Sequence, residues 1–378
     1  MNLISITSTA SFVRRGIVFL ALFCSQIAFA YGPVGHQVVG AVADEKLAKT
    51  PVGEKIAALL DGLTLEGVST YPDEIRGWDK AGPDDPNTFH FSRHPKIDAA
   101  LRDYWHANPP TKDLNSATPS HHWFHYTDVP VADSEKYGDG QAGRSKWDIV
   151  HMIPYCISVL KNEVPADNPR KITKPIAIIL ITHFVGDIHQ PLHVGAEFFD
   201  KEGHPANPDK TPGLVEDQGG NSLTLNLTTG GTEQTRHAKF HYYWDSETVT
   251  ANLPPMPETL SKEERRAKTD VAKKDLVQDI LAHEPKDWRL PANVALKDYA
   301  EAWANEIMPI ARQAHDRLQF REVAPKQMDD GSVAAVGFLD EKKSADGVSY
   351  YDWSARVVRQ ELAKAGWRLA DVLEQALR

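Results

Sequence analysis

The stretch Lys174–His193, KPIAIILITHFVGDIHQPLH, decides how the rest of the chain is read. Its apolar run carries no polar face, so a helix here is buried on all sides. Pro191 ends it. Inside that helix His183 and Asp187 stand four apart and share a face. A polar group left unpaired in such a place costs on the order of 2–7 kcal/mol. Zinc ligation by imidazole and carboxylate satisfies both groups. A plain His–Asp hydrogen bond pinning two core helices does so as well. His193 follows just past the break, so several donors converge at one helix end. His189 lies two residues past Asp187, faces elsewhere, and is read as a supporting or structural group.

Outward from this segment the apolar spacing stays mostly helical. It predicts helices over 34–47, 54–63, 148–162, 174–189, 235–245, 261–281, 296–318 and 350–377. On the 235–245 segment His241 and Asp245 repeat the four-residue spacing of His183 and Asp187. Strand signal is sparse, and 222–227 (SLTLNL) followed by TTGG reads as one arm of a small hairpin. The segments 77–120, 197–217 and 326–347 read as long polar loops. There is no internal repeat and no clean linker. The expected fold class is therefore all-α, a mostly helical single domain over 31–378. At most a small β-hairpin and long loop insertions accompany the helices.

Composition agrees with a metal site. The chain has 378 residues, with 16 His, 9 Trp and only 2 Cys, which favours His/carboxylate ligation over a thiolate or disulfide scaffold. The formal charge of −10 excludes a basic coat that tracks phosphates with lysines. Residues 1–30 carry Arg14 and Arg15, then an apolar run, then Ala28-Phe29-Ala30. That order is the one expected of a secretory signal peptide cleaved after Ala30. Cleavage removes two arginines and shifts the charge from −10 to −12. It also removes Cys24, leaving Cys156 as a single thiol expected to be buried and inert. The new N-terminus would be Tyr31, whose free α-amine and carbonyl can chelate a metal five residues ahead of His36.

Taken in register, YGPVGHQVVG, YPDEIRG, FHYTDVP, THFVGDIHQPLHVG, DQGGN, HYYWD and AGWRLADVL resemble the zinc-dependent single-strand nucleases and 3′-nucleotidases of the nuclease S-one/P-one family. The resemblance spans nearly all of 31–378. It implies a phospholipase C-like helical fold holding three zinc ions. Asp73, His125, His183 and Asp187 would hold the first, with Tyr31, His36 and the bridging Asp187 at the second. His193, His241 and Asp245 would hold the third. Asp73 and Arg76 would serve catalysis, and Tyr126, Asp128 and Asn221 would contact substrate. The implied activity is hydrolysis of single-stranded DNA and RNA to 5′-mononucleotides by a zinc-bridged hydroxide, with 3′-nucleotidase activity.

Three departures stand out. The family usually starts with Trp where this chain has Tyr31. Asp73 and His125 lie 52 positions apart, a long spacing that also contains His90, His94, His106, His121 and His122. Within it, the HYTDVP pattern selects His125. Finally, no internal disulfide can form, which points to a bacterial exported form, periplasmic or extracellular. A monomer with no protein partner and no stable membrane association is expected. The rival readings are a zinc phospholipase C on the same fold and a non-catalytic exported zinc-binding protein.

Overall fold

The structure is a computed structural model that describes residues 31–111, 120–228, 235–257, 259–329 and 331–378. The expected signal peptide lies outside the described residues. Eight longer helices form the body. They are α1 (Gly32–Leu47), α2 (Pro51–Leu59), α3 (Pro95–Ala107), α4 (Ile149–Leu160), α5 (Lys174–Asp187), α6 (Lys262–Ala282), α7 (Tyr299–Asp316) and α8 (Tyr350–Leu377). Helix α5 is the axis of this arrangement. Every residue from Ile176 to Asp187 is buried, as expected of a helix with no polar face. Helices α1, α4 and α8 pack against it, and α8 also packs along α1.

Local signals fix the helix ends. Thr50 accepts a hydrogen bond from the Gly53 amide at the start of α2, and Asp148 accepts one from the His151 amide at the start of α4. Ser261 and Glu264 form a reciprocal capping box on α6. Pro51, Pro95 and Pro175 sit in first turns, where a missing N–H is not needed. The charged helix α6 turns Ala272, Leu276, Val277 and Ile280 inward, onto a small apolar cluster with Val38 and Val42 of α1.

The all-α expectation is overturned: the fold is mixed α/β. Four strands, β1 (Leu223–Thr228), β2 (Thr235–Lys239), β3 (Leu318–Gln327) and β4 (Val333–Glu341), form one mixed sheet in the order β2-β1-β4-β3. Strand β1 pairs antiparallel with β2 and parallel with β4, and β3 with β4 antiparallel. Val129–Pro130 pairs with Gly195–Ala196, and Phe198–Phe199 with Val215–Glu216, as two further small sheets. The reasons for the miss are physical. Strand β3 is an edge strand with Pro325 inside it and a register shift between Arg321 and Ala324, so its alternation is broken and mostly solvent-facing. Strand β2 (TRHAK) is too charged to read as a strand. The expected helix 235–245 is therefore a strand up to Lys239 and helical only from Phe240. The expected loop 326–347 contains β4. The expected loop 77–120 contains α3, which buries Ile97, Leu101 and Tyr104 on one face.

Candidate metal centre

The end of α5 and the turns around it bring the predicted ligands together. Asp187 is fully buried in the last turn of α5. His36 reaches it from α1, with Nε2 3.2 Å from Asp187 Oδ1. His183 Nε2 and His125 Nδ1 approach Asp187 Oδ2 at 3.3 and 3.1 Å, and lie 3.0 Å from each other. Asp73 closes this group, with Oδ1 3.7 Å from His183 Nε2 and 3.9 Å from His125 Nδ1. Two overlapping ligand sets result: His36, His183 and Asp187, and Asp73, His125 and His183.

A second group lies beside the first. His193 ends the short 3₁₀ turn Pro191–His193 that follows α5. His241 and Asp245 lie on the helical turns after β2, where Tyr243–Glu247 winds as a π-turn. His193 and His241 meet Nε2 to Nε2 at 3.1 Å, and His241 Nε2 is 3.3 Å from Asp245 Oδ2. Tyr31 lies against the second group. Its backbone N–H donates to the Asp245 carboxylate, and its hydroxyl donates to the His189 carbonyl at 2.6 Å.

Backbone carbonyls aim three of the rings. Nδ1 of His183, His193 and His241 lies 2.7, 2.8 and 2.6 Å from the carbonyls of Ser69, His125 and Gly219. With Nδ1–H donated, each Nε2 lone pair points inward, the arrangement that metal-ligating histidines use. Because the His125 carbonyl holds His193, the two groups are fixed relative to each other. Gly219 supplies its carbonyl from a left-handed conformation, φ +58°, which glycine adopts without strain.

The residues fit metal ions. A tetrahedron with zinc bonds of 2.0–2.1 Å has edges of about 3.3 Å, and the donor separations of 3.0–3.3 Å around Asp187 and His241 sit close to that edge. Asp73 Oδ1, Asp187 Oδ1 and Asp245 Oδ2 are buried and accept no hydrogen bond among the described residues. Burial raises Asp187 and Asp245 well above the usual carboxylate range and Asp73 to about 7, the last despite the pull of Arg76 and His36. Burial also pushes His125, His183 and His193 well down, and His241 to about 4. Neutral imidazoles and buried carboxylates, each with one oxygen that accepts no hydrogen bond, are a donor set that cations stabilise.

The family model described as S1/P1 Nuclease matches residues 31–378. The chain belongs to that family. It is similar to two proteins of Arabidopsis thaliana. Endonuclease 2 is 28% identical over 145 residues, 35% of this chain and 41% of that protein, and Endonuclease 1 is 25% identical over 171 residues, 42% and 46%. The chain thus spans less than half the length of the curated relatives it matches. Family membership and buried His/Asp groups that could hold metal ions point to the same region of the chain.

The remaining predicted residues of this S1/P1 family member border the same region. Arg76 Nη1 is 3.7 Å from Asp73 Oδ1, with its side chain 23% exposed. Tyr126 is half-buried and Asp128 buried. Asp128 lies against the Gly219 turn, where a Cβ would come 3.5 Å from its Oδ1. Asn221 follows in that turn and donates to the Gln218 carbonyl at 2.9 Å. His189 takes a structural role, with Nε2 2.8 Å from Arg368 of α8. Gln190 is the positioning residue that the sequence reading missed. Its side chain donates to Asp245 Oδ1 at 2.8 Å and accepts from the Leu192 amide at 2.5 Å. Its place between the helix end and Pro191, in HQPLH, was the available signal.

Proposed function

We propose that the protein hydrolyses single-stranded DNA and RNA to 5′-mononucleotides and removes the 3′-phosphate from mononucleotides, using three zinc ions. The observation that carries this reading is the gathering of His36, Asp73, His125, His183 and Asp187 beside His193, His241 and Asp245 from distant stretches of chain. When bound, zinc supplies a nucleophile at neutral pH and Lewis acidity toward phosphoryl oxygens. The chain's own groups do the rest. The Arg76 guanidinium, part-exposed beside Asp73, offers a fork that binds and orients a phosphate. The Tyr126 ring gives a base a surface to stack on, which only an unpaired strand can use. Burial, with Glu216 and Asp217 nearby, raises the Asp128 carboxyl well above the usual carboxylate range, and a carboxyl accepts from a base edge when ionised and also donates when protonated. Asn221 bounds the same side.

Residues 31–378 act in this reading as one exported, monomeric unit, freed by removal of residues 1–30. Cleavage gives Tyr31 its α-amine as a ligand. No helix among the described residues is long and apolar enough to cross a membrane. Among the described residues, the exposed large apolar side chains are Phe89, Val271, Val333 and Phe338, on three separate segments, which gives no support to a lipid-docking lip. Parallel assays on single-stranded RNA, duplex DNA, 3′-AMP and phosphatidylcholine vesicles test the proposal. Cleavage of RNA and 3′-AMP is expected; cleavage of lipid alone refutes it.

A further inference from the structure

Two short helical segments border the metal centre on the Arg76 side. One runs through Tyr71–Glu74 and Ile75–Trp78 and is closed by Asp79; the other is the 3₁₀ turn His121–His125. They are bridged twice. Asp73 faces His125, and six residues on, Asp79 faces His122, with Nε2 of His122 2.6 Å from Oδ2 of Asp79. His122 and His125 are three apart on a 3₁₀ turn, where side chains at that spacing eclipse. The second bridge therefore repeats the first on the same face, with Arg76 between them in sequence.

At the second bridge a third donor joins. His121 Nε2 lies 3.3 Å from Asp79 Oδ1, and the three residues form a ligand set separate from those around Asp187 and His241. His121 is 1% exposed, and its Nδ1 has no hydrogen-bond partner among the described residues. Either neutral tautomer of this ring is unsatisfied. Donation from Nε2 to Asp79 leaves Nδ1 bare. A proton on Nδ1 instead leaves the Nε2 lone pair facing a carboxylate oxygen. A cation between Nε2 and Oδ1 removes the second conflict, leaving the Nδ1–H as the one unmet group of the ring, and 3.3 Å is close to the edge of a zinc tetrahedron, about 3.3 Å. The Trp105 indole N–H donates to Asp79 Oδ1 at 3.0 Å, the kind of tether that orients a ligating carboxylate. Burial holds His121 down at about 4, so its ring is neutral and able to ligate.

We propose that Asp79, His121 and His122 form an additional divalent-metal site, suited by its two imidazoles and one carboxylate to zinc, on the Arg76 side of the centre. The donor set matches that of His193, His241 and Asp245 in kind. It differs in exposure, since His122 and Asp79 side chains are 30% and 20% exposed. Open coordination positions would therefore face solvent. Binding requires the 2.6 Å His122–Asp79 contact to widen to about 3.3 Å, a movement of side chains at the surface.

The test is the zinc content of purified wild type, H122A and H193A after dialysis against a weak chelator. One ion fewer in H122A than in wild type, with an unchanged far-ultraviolet spectrum, is expected. D79N, which keeps the size of the side chain and an acceptor for Trp105, should show the same loss and serves if H122A fails to fold. Equal zinc content in wild type and in the folded variant overturns the proposal. H193A reports on the other centre, so a failure of the three-ion reading appears in a different protein from a failure of this one.

Discussion

Gly186 is where packing and chemistry meet most tightly. It precedes Asp187 on α5, and His36 of α1 lies against it. An alanine Cβ there would stand 2.8 Å from His36 Nδ1 and 3.1 Å from Cε1, against about 3.5–4.0 Å for a relaxed contact. His36 has little room to retreat. It is fully buried and stacked on His183, with ring centroids 3.8 Å apart and planes 12° apart. Gly186→Ala must therefore displace His36 by roughly 0.7 Å, whereas a metal–ligand distance tolerates about 0.2 Å. Overpacking costs about 1–3 kcal/mol, and alanine's better helix propensity offsets about 1 kcal/mol of that. Metal-free stability should then fall by at most about 2 kcal/mol. Zinc affinity at the His36 position should fall by about 10- to 100-fold, the usual effect of disturbing a ligand's support. Competition with a chromophoric chelator reads the affinity, and urea unfolding of the metal-free protein reads the stability. Wild-type zinc affinity in the variant would refute the claim that His36 is a ligand held against α5.

Other predictions concern groups around the same centre. Arg76→Ala should lower kcat/KM on single-stranded DNA by about 10²–10³-fold, as loss of a charge-stabilising donor does, with the zinc content unchanged; loss of zinc as well would make Arg76 a structural partner of Asp73. Tyr126→Ala should weaken binding of a single-stranded oligonucleotide by about 1–3 kcal/mol, the value of one base stack. Equal binding by both proteins in a fluorescence anisotropy titration would remove Tyr126 from the substrate surface. The Asp73 carboxyl, raised by burial to about 7 in the metal-free protein, must lose its proton to bind zinc, as must Asp187, also raised. Zinc affinity should fall as pH drops through about 7, by about a decade per pH unit for each proton displaced. A chelator titration that stays level down to about pH 5 would contradict this proton competition.

Much of the centre was legible because its ligands sit on regular elements. His183 and Asp187 are polar intrusions in an otherwise apolar helix, and four-residue spacing announces a shared face. His36 was singled out differently, by its place five residues after Tyr31 and by the YGPVGHQVVG motif. The sheet was not, because strand reading depends on alternation. Strand β3 loses it to Pro325 and to the register shift before Ala324, and β2 is short and charged. Strand β4 buries Ala334, Ala335 and Leu339, but it pairs on one side with the adjacent β3 and on the other with β1, about a hundred residues earlier in the chain. Contacts of this kind are set by tertiary arrangement, not by local pattern. Asp79, His121 and His122 were hidden for a similar reason. The helix Pro95–Ala107 lies between Asp79 and the histidines in the chain, and only its folding brings Trp105 onto Asp79.

The central claim is that one buried set of histidines and aspartates holds the metal on which hydrolysis depends. Stripping the purified protein with a strong chelator, then titrating zinc back while following cleavage of single-stranded DNA, tests it most directly. The account predicts no cleavage in the stripped protein, recovery that tracks zinc bound, and no recovery in an Asp187→Asn variant. Full cleavage by the stripped protein, or recovery in Asp187→Asn equal to wild type, would contradict it.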